Sequence, residues 1–262
     1  MASLYVTQGD GVVRAQDVDS NFRCARTVSC PRHWLGLLHG FELHCDDHVV
    51  ALPFSAQRLV AFLALRGWPT RRLQVATTLW PDSTEERSFA NLRSALWRLR
   101  CEGCLLVDNS NSCLRLGSAV TVDYHEIAER ARSLLDPSTQ VGLDEIDEGC
   151  FTGDLLPDWY DEWLVTERER FRQLRLCALE SAAERLISGG WHGRAIQAAL
   201  MAVGEDPLRE SAHRLLVRAH LAQGNQNEAL LDYQRYREGL RTELQVDPSP
   251  LFDELISGIG RR

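Results

Sequence analysis

The second half of the chain matches itself at a spacing of 34 residues, and this repeat constrains the fold more than any other feature of the sequence. The segment ISGGWHGRAI, which begins at Ile187, aligns with LAQGNQNEAL, which begins at Leu221, so that Gly190 superposes on Gly224. A repeat of this length around a glycine-containing turn is typical of tetratricopeptide-like helical hairpins, which bury their apolar faces by stacking on one another. We therefore expect an all-α helical domain from about residue 122 onward.

The first half has the pattern of a smaller α+β domain. Short apolar stretches around Asp46 and Asp47 predict a small sheet with a hairpin. Three segments with helical periodicity follow, of which the first is expected to end at Gly67, and a second hairpin is predicted around residues 108–111. This order predicts a winged helix-turn-helix domain, in which the third helix enters the major groove of DNA.

The third predicted helix contains SFANLRSALWRLR, residues 88–100, and has two different faces. At about 100° per residue, an apolar stripe about 80° wide is formed by Phe89, Leu92, Leu96 and Leu99. The opposite side, about 60° wide, carries Arg87, Asn91, Ser94 and Arg98, with Arg93 and Trp97 on one flank. We expect Asp82 or Ser83 to cap this helix at its N-terminus.

The positive face of this helix contrasts with the formal net charge of the whole chain, which is −8. Residues 58–100 hold eight arginines against three acidic residues, whereas residues 101–170 hold sixteen acidic residues against five arginines. A basic island in an acidic protein predicts a surface for a polyanion.

Together these segments resemble the SARP family of transcriptional activators, the antibiotic regulatory proteins of actinobacteria. The resemblance covers about Trp34 to Leu255. It is carried in the first half by GFEL, AQRLVAFLALRG, LWPDSTEERSFANLRSALWRLR and VDYHEI, and in the second by GDLLPDWYDEWL, EDPLRESAHRLLVRAHLAQGNQNEAL and DPSP.

The resemblance implies an OmpR-like winged-helix DNA-binding domain followed by a bacterial transcriptional activation domain. We accordingly expect a flexible N-terminal arm over residues 1–33, the winged-helix domain over 34–122, and a tetratricopeptide-like helical activation domain over 123–262. We expect neither a receiver domain before the winged helix nor a nucleotide-binding module after the helical domain.

The function that the resemblance implies is sequence-specific activation of transcription. Members look like activators that bind direct repeats near a promoter, as a head-to-tail dimer on double-stranded DNA, and recruit RNA polymerase holoenzyme. The regulated genes are then expected to belong to secondary metabolite (antibiotic) biosynthesis. The alternative is a non-DNA-binding adaptor whose helical repeats bind a peptide.

The candidate DNA-binding residues come from the outer face of the third helix and its neighbours. Arginine suits bidentate contact with guanine and asparagine with adenine, so we expect Asn91, Ser94 and Arg98 to contact base edges. The residues expected at phosphates are Arg72, Arg87, Arg93 and Arg115. Trp97 is expected either to pack against the wing or to contact a DNA sugar. The alternative for this whole face is a solvated surface without a ligand.

The acidic stretch, residues 101–170, has two possible roles. It is either a solvated surface that repels DNA or a docking surface for the polymerase or a second protomer. We expect its aromatic residues to anchor a linker helix into the repeat array, and these are Trp159, Tyr160 and Trp163.

Other classes of function have weaker sequence support. No phosphate-binding loop or nucleophile motif occurs, so we expect no enzyme and no cofactor. The longest apolar run, residues 59–65, is too short to cross a bilayer, and cytoplasmic localisation is expected with no membrane partner. Eight cysteines without an export signal are expected to be reduced thiols. A zinc site is the disfavoured alternative for two groups, Cys101, Cys104 and Cys113, and Cys24, Cys30 and His33.

Overall fold

A computed structural model of the chain describes residues 33–46, 48–101, 106–110 and 112–258. All of these residues belong to one compact unit, Pro31–Arg262. The predicted N-terminal arm lies outside the described residues except for His33. No helix of the described residues is long and apolar enough to span a membrane.

In its described residues, the first half contains two small sheets and three helices, in agreement with the predicted sheet, helices and hairpin. The strands are β1 (His33–Gly36), β2 (Glu42–Cys45), β3 (His48–Val49), β4 (Thr70–Arg71), β5 (Val107–Ser110), β6 (Cys113–Leu116) and β7 (Val120–Val122). The helices are α1 (Phe54–Arg66), α2 (Arg72–Leu79) and α3 (Glu85–Cys101). The first sheet has the order β3-β2-β1-β7 and the second β4-β6-β5, so the β5–β6 hairpin forms the wing.

The ends of the helices follow from local chemistry. Gly67 ends α1 in the left-handed conformation, with φ of 70°, and its N–H donates to the Leu63 carbonyl, as predicted. The predicted cap of α3 at Asp82 or Ser83 was wrong, because the Thr84 hydroxyl accepts the N–H of Arg87 at 3.4 Å.

The second half is helical in its described regular elements, as predicted. These are α4 (Asp123–Leu135), a 3-10 helix (Glu148–Phe151), α5 (Glu162–Ser188), α6 (His192–Glu205), α7 (Glu210–Gln223), α8 (Gln226–Glu243) and α9 (Pro250–Ser257). The two matched segments form equivalent turns, α5 to α6 and α7 to α8. Gly190 and Gly224 have φ of 80° and 89°, and Ala195 and Ala229 are both fully buried. The helical repeat predicted from the 34-residue spacing is therefore present.

The core of the first half continues beyond residue 123 and joins the two halves. Leu155, Leu156, Leu164 and Phe171 belong to the same buried cluster as the residues of α1, α2 and α3. The Asp123 carboxylate also accepts the N–H groups of Leu37 and Leu38, at 2.9 and 3.0 Å. The boundary between residues 122 and 123 stays a prediction, since packed side chains and hydrogen bonds cross it.

The predicted role of the aromatic residues in the acidic stretch was wrong. Trp159 is 7% exposed and packs on Phe41 and Phe54, and Trp163 packs edge-on against Phe62, so both anchor the chain to the first-half core. Tyr160 is 95% exposed and anchors nothing. Aromatic spacing predicted burial but could not indicate which core would receive the rings.

Candidate nucleic-acid interface

Helix α3 is held against the first-half core by a stripe that differs from the predicted one. Its fully buried residues are Ser88, Leu92, Ala95 and Leu99, whereas Phe89 and Leu96 are half-buried. The buried stripe is therefore centred about 50° from the predicted stripe. Ser88 tolerates burial because its hydroxyl lies 3.2 Å from the Trp80 carbonyl and 3.0 Å from the Thr84 carbonyl and can donate to either.

Because the buried stripe is displaced in this way, the side chains on the exposed side of α3 also differ from those predicted. Trp97 lies opposite the centre of the buried stripe and is 65% exposed, so it does not pack into the core. One edge of the outer face carries the predicted group, of which Arg87, Ser94 and Arg98 are exposed and Asn91 is half-buried. The other edge carries Arg93 and Arg100, which are both exposed.

A depression of about 280 Å³ lies between α3, the N-terminus of α2 and the wing. Its lining residues are Arg72, Arg93, Leu96, Trp97, Arg100 and Asn109. Three of the predicted DNA-binding residues, Arg72, Arg93 and Trp97, are thus brought together at one place. Three guanidinium groups around an exposed indole can bind an anionic group whose neighbouring atoms are apolar, such as a sugar phosphate.

Arg72 joins the wing to the helices. Its N–H donates to the Ser112 carbonyl at 3.0 Å, and its Nη1 donates to the Asn109 Oδ1 at 3.2 Å. Asn109 and Arg100 were not predicted as site residues. Arg100 counts toward the basic island, and Asn109 lies in the predicted hairpin, but nothing in the sequence indicates that either one borders Trp97.

Arg115 is in a different situation from the other predicted residues. It lies on β6 directly opposite Asp108 of β5, and its Nη2 is 3.2 Å from the Asp108 Oδ2. Both side chains are about half exposed, so the pair is accessible to solvent. Arg115 must leave or share this carboxylate in order to bind a phosphate.

The remaining arginines of this surface have no ion pair with any of the described residues. None of Arg71, Arg87, Arg93, Arg98 and Arg100 forms an ion pair with a carboxylate of the residues that the structure describes. Their guanidinium groups are fully charged at any physiological pH and carry several donors each. The face therefore has the positive charge and the hydrogen-bond donors that a duplex with phosphates and base edges requires.

The zinc alternative involves cysteines that lie mostly outside the described residues, so it stays a hypothesis. Among the described residues, no group of three or more histidine, cysteine or acidic side chains is arranged to hold a metal ion. Cys45, Cys113, Cys150 and Cys177 are free thiols. The sites that involve Cys24, Cys30, Cys104 or the side chain of Cys101 lie outside the described residues.

The chain matches the model of a known protein family. The model of the bacterial transcriptional activator domain matches residues 122–259, which is more than half of the chain. The regulatory protein AfsR of Streptomyces coelicolor is 29% identical over 231 residues, which cover 84% of this chain and 23% of that protein. AfsR of Streptomyces griseus is 26% identical over 211 residues, which cover 78% of this chain and 22% of that protein. The chain thus spans less than a quarter of the length of either relative.

A similar fold occurs in a solved structure. Mycobacterium tuberculosis EmbR, solved in complex with a low affinity phosphopeptide, superposes with a TM-score of 0.72 at 20% sequence identity. The superposition covers 87% of this chain and 65% of that chain. It confirms the predicted fold class, an α+β winged helix-turn-helix domain followed by an all-α tetratricopeptide-like domain.

Proposed function

Because the chain belongs to the SARP family of transcriptional regulators, which carry a bacterial transcriptional activator domain, we propose that it activates transcription. To do so, it binds double-stranded DNA in a sequence-specific manner. The observation that carries the proposal is the outer face of α3, where four arginines, Arg87, Arg93, Arg98 and Arg100, have no ion-pair partner among the described residues. Cations without an ion-pair partner on the second helix of a helix-turn-helix are available for phosphates and base edges.

We divide the residues into two groups by the contact that each is proposed to make with DNA. Asn91, Ser94 and Arg98 share one edge of the outer face and contact base edges in the major groove, where arginine pairs with guanine and asparagine with adenine. Arg87, Arg93 and Arg72 hold backbone phosphates, and Arg115 joins them when it leaves Asp108. Trp97 contacts a deoxyribose, since it is exposed beside the arginines of the depression.

Activation and assembly make up the second part of the proposal. The protein binds direct repeats near a promoter as a head-to-tail dimer and recruits RNA polymerase holoenzyme, in the cytoplasm and without enzymatic activity or cofactor. Family membership supports the recruitment of transcription machinery, and the acidic surface beyond residue 101 supports a protein partner in place of a second DNA contact. Antibiotic or other secondary metabolite genes are the proposed targets.

A gel-shift assay at two salt concentrations tests DNA binding. Genome-wide mapping of bound sites first supplies the duplex, and a scrambled duplex measures non-specific affinity. The test variant replaces Arg87, Arg93 and Arg98 by Gln. We expect it to lose both specific affinity and much of the salt dependence, since each lost phosphate contact lowers the salt slope by about 0.9.

The matched control replaces Arg235, Arg237 and Arg241 by Gln, which removes the same charge from the single helix α8. Each of these arginines forms an ion pair with an aspartate and is at least 45% exposed. Equal affinity of the two variants would contradict the proposed interface and favour the adaptor alternative. Transcription with purified polymerase then tests activation separately.

A further inference from the structure

A groove of about 690 Å³ lies on the helical domain between α6, α7 and α8, away from the DNA-binding helices. It is lined by Leu200, Val203, Asp206, Pro207, Leu208, His213, Leu216, Asp232, Arg235, Tyr236, Gly239 and Glu243. A concave site of this volume, with mostly apolar walls and a few polar groups, is typical of small-molecule sites. None of the DNA-binding residues lines it.

One wall of the groove lacks a side chain. Gly239 lies inside α8, and a Cβ added there would meet no atom of a neighbouring residue within 4 Å. Glycine in a helix interior lowers helix stability relative to alanine, and no close packing requires it at this position. Leu200 on the facing helix α6 is 44% exposed. The two residues leave an apolar space that protein atoms do not fill.

The buried polar group of the groove is an acceptor without a donor. His213 is 7% exposed, and its Nε2 donates to the Pro207 carbonyl at 2.9 Å, while its ring lies 4.4 Å from the Tyr236 ring. Its Nδ1 is buried and has no hydrogen-bond partner among the described residues. Burial lowers the pKa of His213, which favours the neutral ring with a bare Nδ1 lone pair.

The charges around the groove are mostly negative. Asp206, Asp232 and Glu243 line it together with a single cation, Arg235, and Asp206 is also paired with Arg172, which lies outside the lining, at 3.4 Å. Asp232 is paired with both His220 and Arg235, at 3.3 and 3.4 Å. Glu243 has no ion pair within the part of the chain that the structure describes. Glu243 is therefore the carboxylate of the groove whose charge no cation of the described residues balances.

From this arrangement we propose that the groove between α6, α7 and α8 binds a small organic ammonium ligand with an apolar body. The apolar body lies between Leu200 and the open wall at Gly239. The ammonium group donates hydrogen bonds to the carboxylates of the groove, and Glu243 balances its charge. This site is independent of the proposed DNA interface, because the two share no residue.

Isothermal titration calorimetry of the full chain with tryptamine tests the proposal. Indole-3-propionate is the matched probe, because it has the same ring but carries a negative charge. We expect tryptamine to bind with a Kd on the order of 1 mM, the range for a ligand of about a dozen non-hydrogen atoms, and the carboxylate to bind at least about tenfold more weakly. Absence of saturable tryptamine binding, or equal binding of both probes, overturns the proposal.

Two substitutions locate the binding. Gly239→Phe fills the groove and is expected to abolish tryptamine binding, whereas Gly193→Phe, at an exposed helical glycine of α6 that also has open space, leaves binding unchanged. Glu243→Gln is expected to weaken tryptamine about threefold through the lost charge, with Glu238→Gln on the same helix as its control. If Gly239→Phe fails to fold, as judged by circular dichroism, the Glu243→Gln comparison decides. Binding that both Gly239→Phe and Glu243→Gln leave unchanged overturns the site.

Discussion

The arginines of α3 and those of the helical domain have opposite surroundings. None of the α3 arginines forms an ion pair among the described residues. In contrast, every arginine from Arg168 to Arg241 has a partner. Arg168 and Arg185 donate to backbone carbonyls, and ion pairs are formed by Arg170, Arg172, Arg175, Arg194, Arg209, Arg214, Arg218, Arg235, Arg237 and Arg241.

Arginine therefore serves two purposes in the same chain, one structural and one in binding. A guanidinium that is already bonded to a carboxylate joins neighbouring helices, as Arg209 does when it links the start of α7 to Glu180 of α5. A guanidinium without a partner keeps its hydrogen-bonding capacity for another molecule. We therefore expect substitutions in the helical domain to change stability and substitutions on α3 to change DNA binding.

The largest effect is expected from Arg175→Ala. Arg175 is 2% exposed and donates to Glu205 at 2.6 Å, so its removal leaves a carboxylate without its partner. Breaking such a pair costs about 3 kcal/mol of the free energy of unfolding, whereas Arg98→Ala on the exposed face costs no more than about 0.5 kcal/mol. Urea unfolding followed by circular dichroism measures both. Similar losses in the two variants would remove the distinction between the regions.

The next effect concerns base recognition by Arg98. Arg98→Ala is expected to reduce discrimination at one base pair of the operator by about 2 kcal/mol, because a bidentate contact with guanine is lost. Competition gel shifts against single-base variants of the site measure it. Arg235→Ala, whose ion pair lies on α8, is the control and should leave every base preference unchanged. A uniform loss of affinity with Arg98→Ala would instead indicate a phosphate contact.

A smaller effect is expected from the arginines of the depression. Arg93→Ala and Arg72→Ala should each lower the slope of log K against log salt by about 0.9, because each removes one phosphate contact. Arg218→Ala in the helical domain, where Glu184 already binds the guanidinium, should leave the slope unchanged. Fluorescence anisotropy at several salt concentrations measures the slopes. An unchanged slope with Arg93→Ala would exclude it from the interface.

The smallest effect is a pH dependence within the helical domain. Hydrogen bonds from Arg172 and Gln173 lower the pKa of Glu169 from 4.5 to about 2. Because the folded-state pKa is lowered, this carboxylate stabilises the fold above pH 4.5 and loses its contribution as the pH falls toward 2. Glu169→Gln should therefore show a shallower fall of stability across this range than wild type. Acid titration followed by circular dichroism measures it, with Glu228→Gln as an exposed control.

Much of the fold could be predicted because its signals are local. The end of α1 follows from Gly67, and the equivalent turns of the helical array follow from Gly190 and Gly224, whose backbone conformations favour glycine. The error in the buried stripe of α3 arose because side-chain hydrophobicity alone does not decide which residues are buried. Ser88 is polar but buried, since the preceding turn supplies acceptors for its hydroxyl, and this displaced the buried stripe of α3.

The candidate site was predictable in its residue types but not in its arrangement. The basic island predicted which helix is cationic, yet the pairing of Arg115 with Asp108 depends on the register of β5 and β6. The neighbourhood of Trp97 and Asn109 likewise depends on how the wing packs beside α3. Such contacts join residues that no periodicity relates, so a pattern in the sequence cannot indicate them.

We could derive from the sequence alone the order of helices and strands, the helical repeat and the uneven distribution of charge, because periodicity, turn residues and composition are properties of short segments. The tertiary structure was needed to show which arginines are paired with carboxylates, which side of α3 is exposed, and where the helical domain has a groove. These features depend on distances between side chains from different elements, and packing of the whole domain sets those distances.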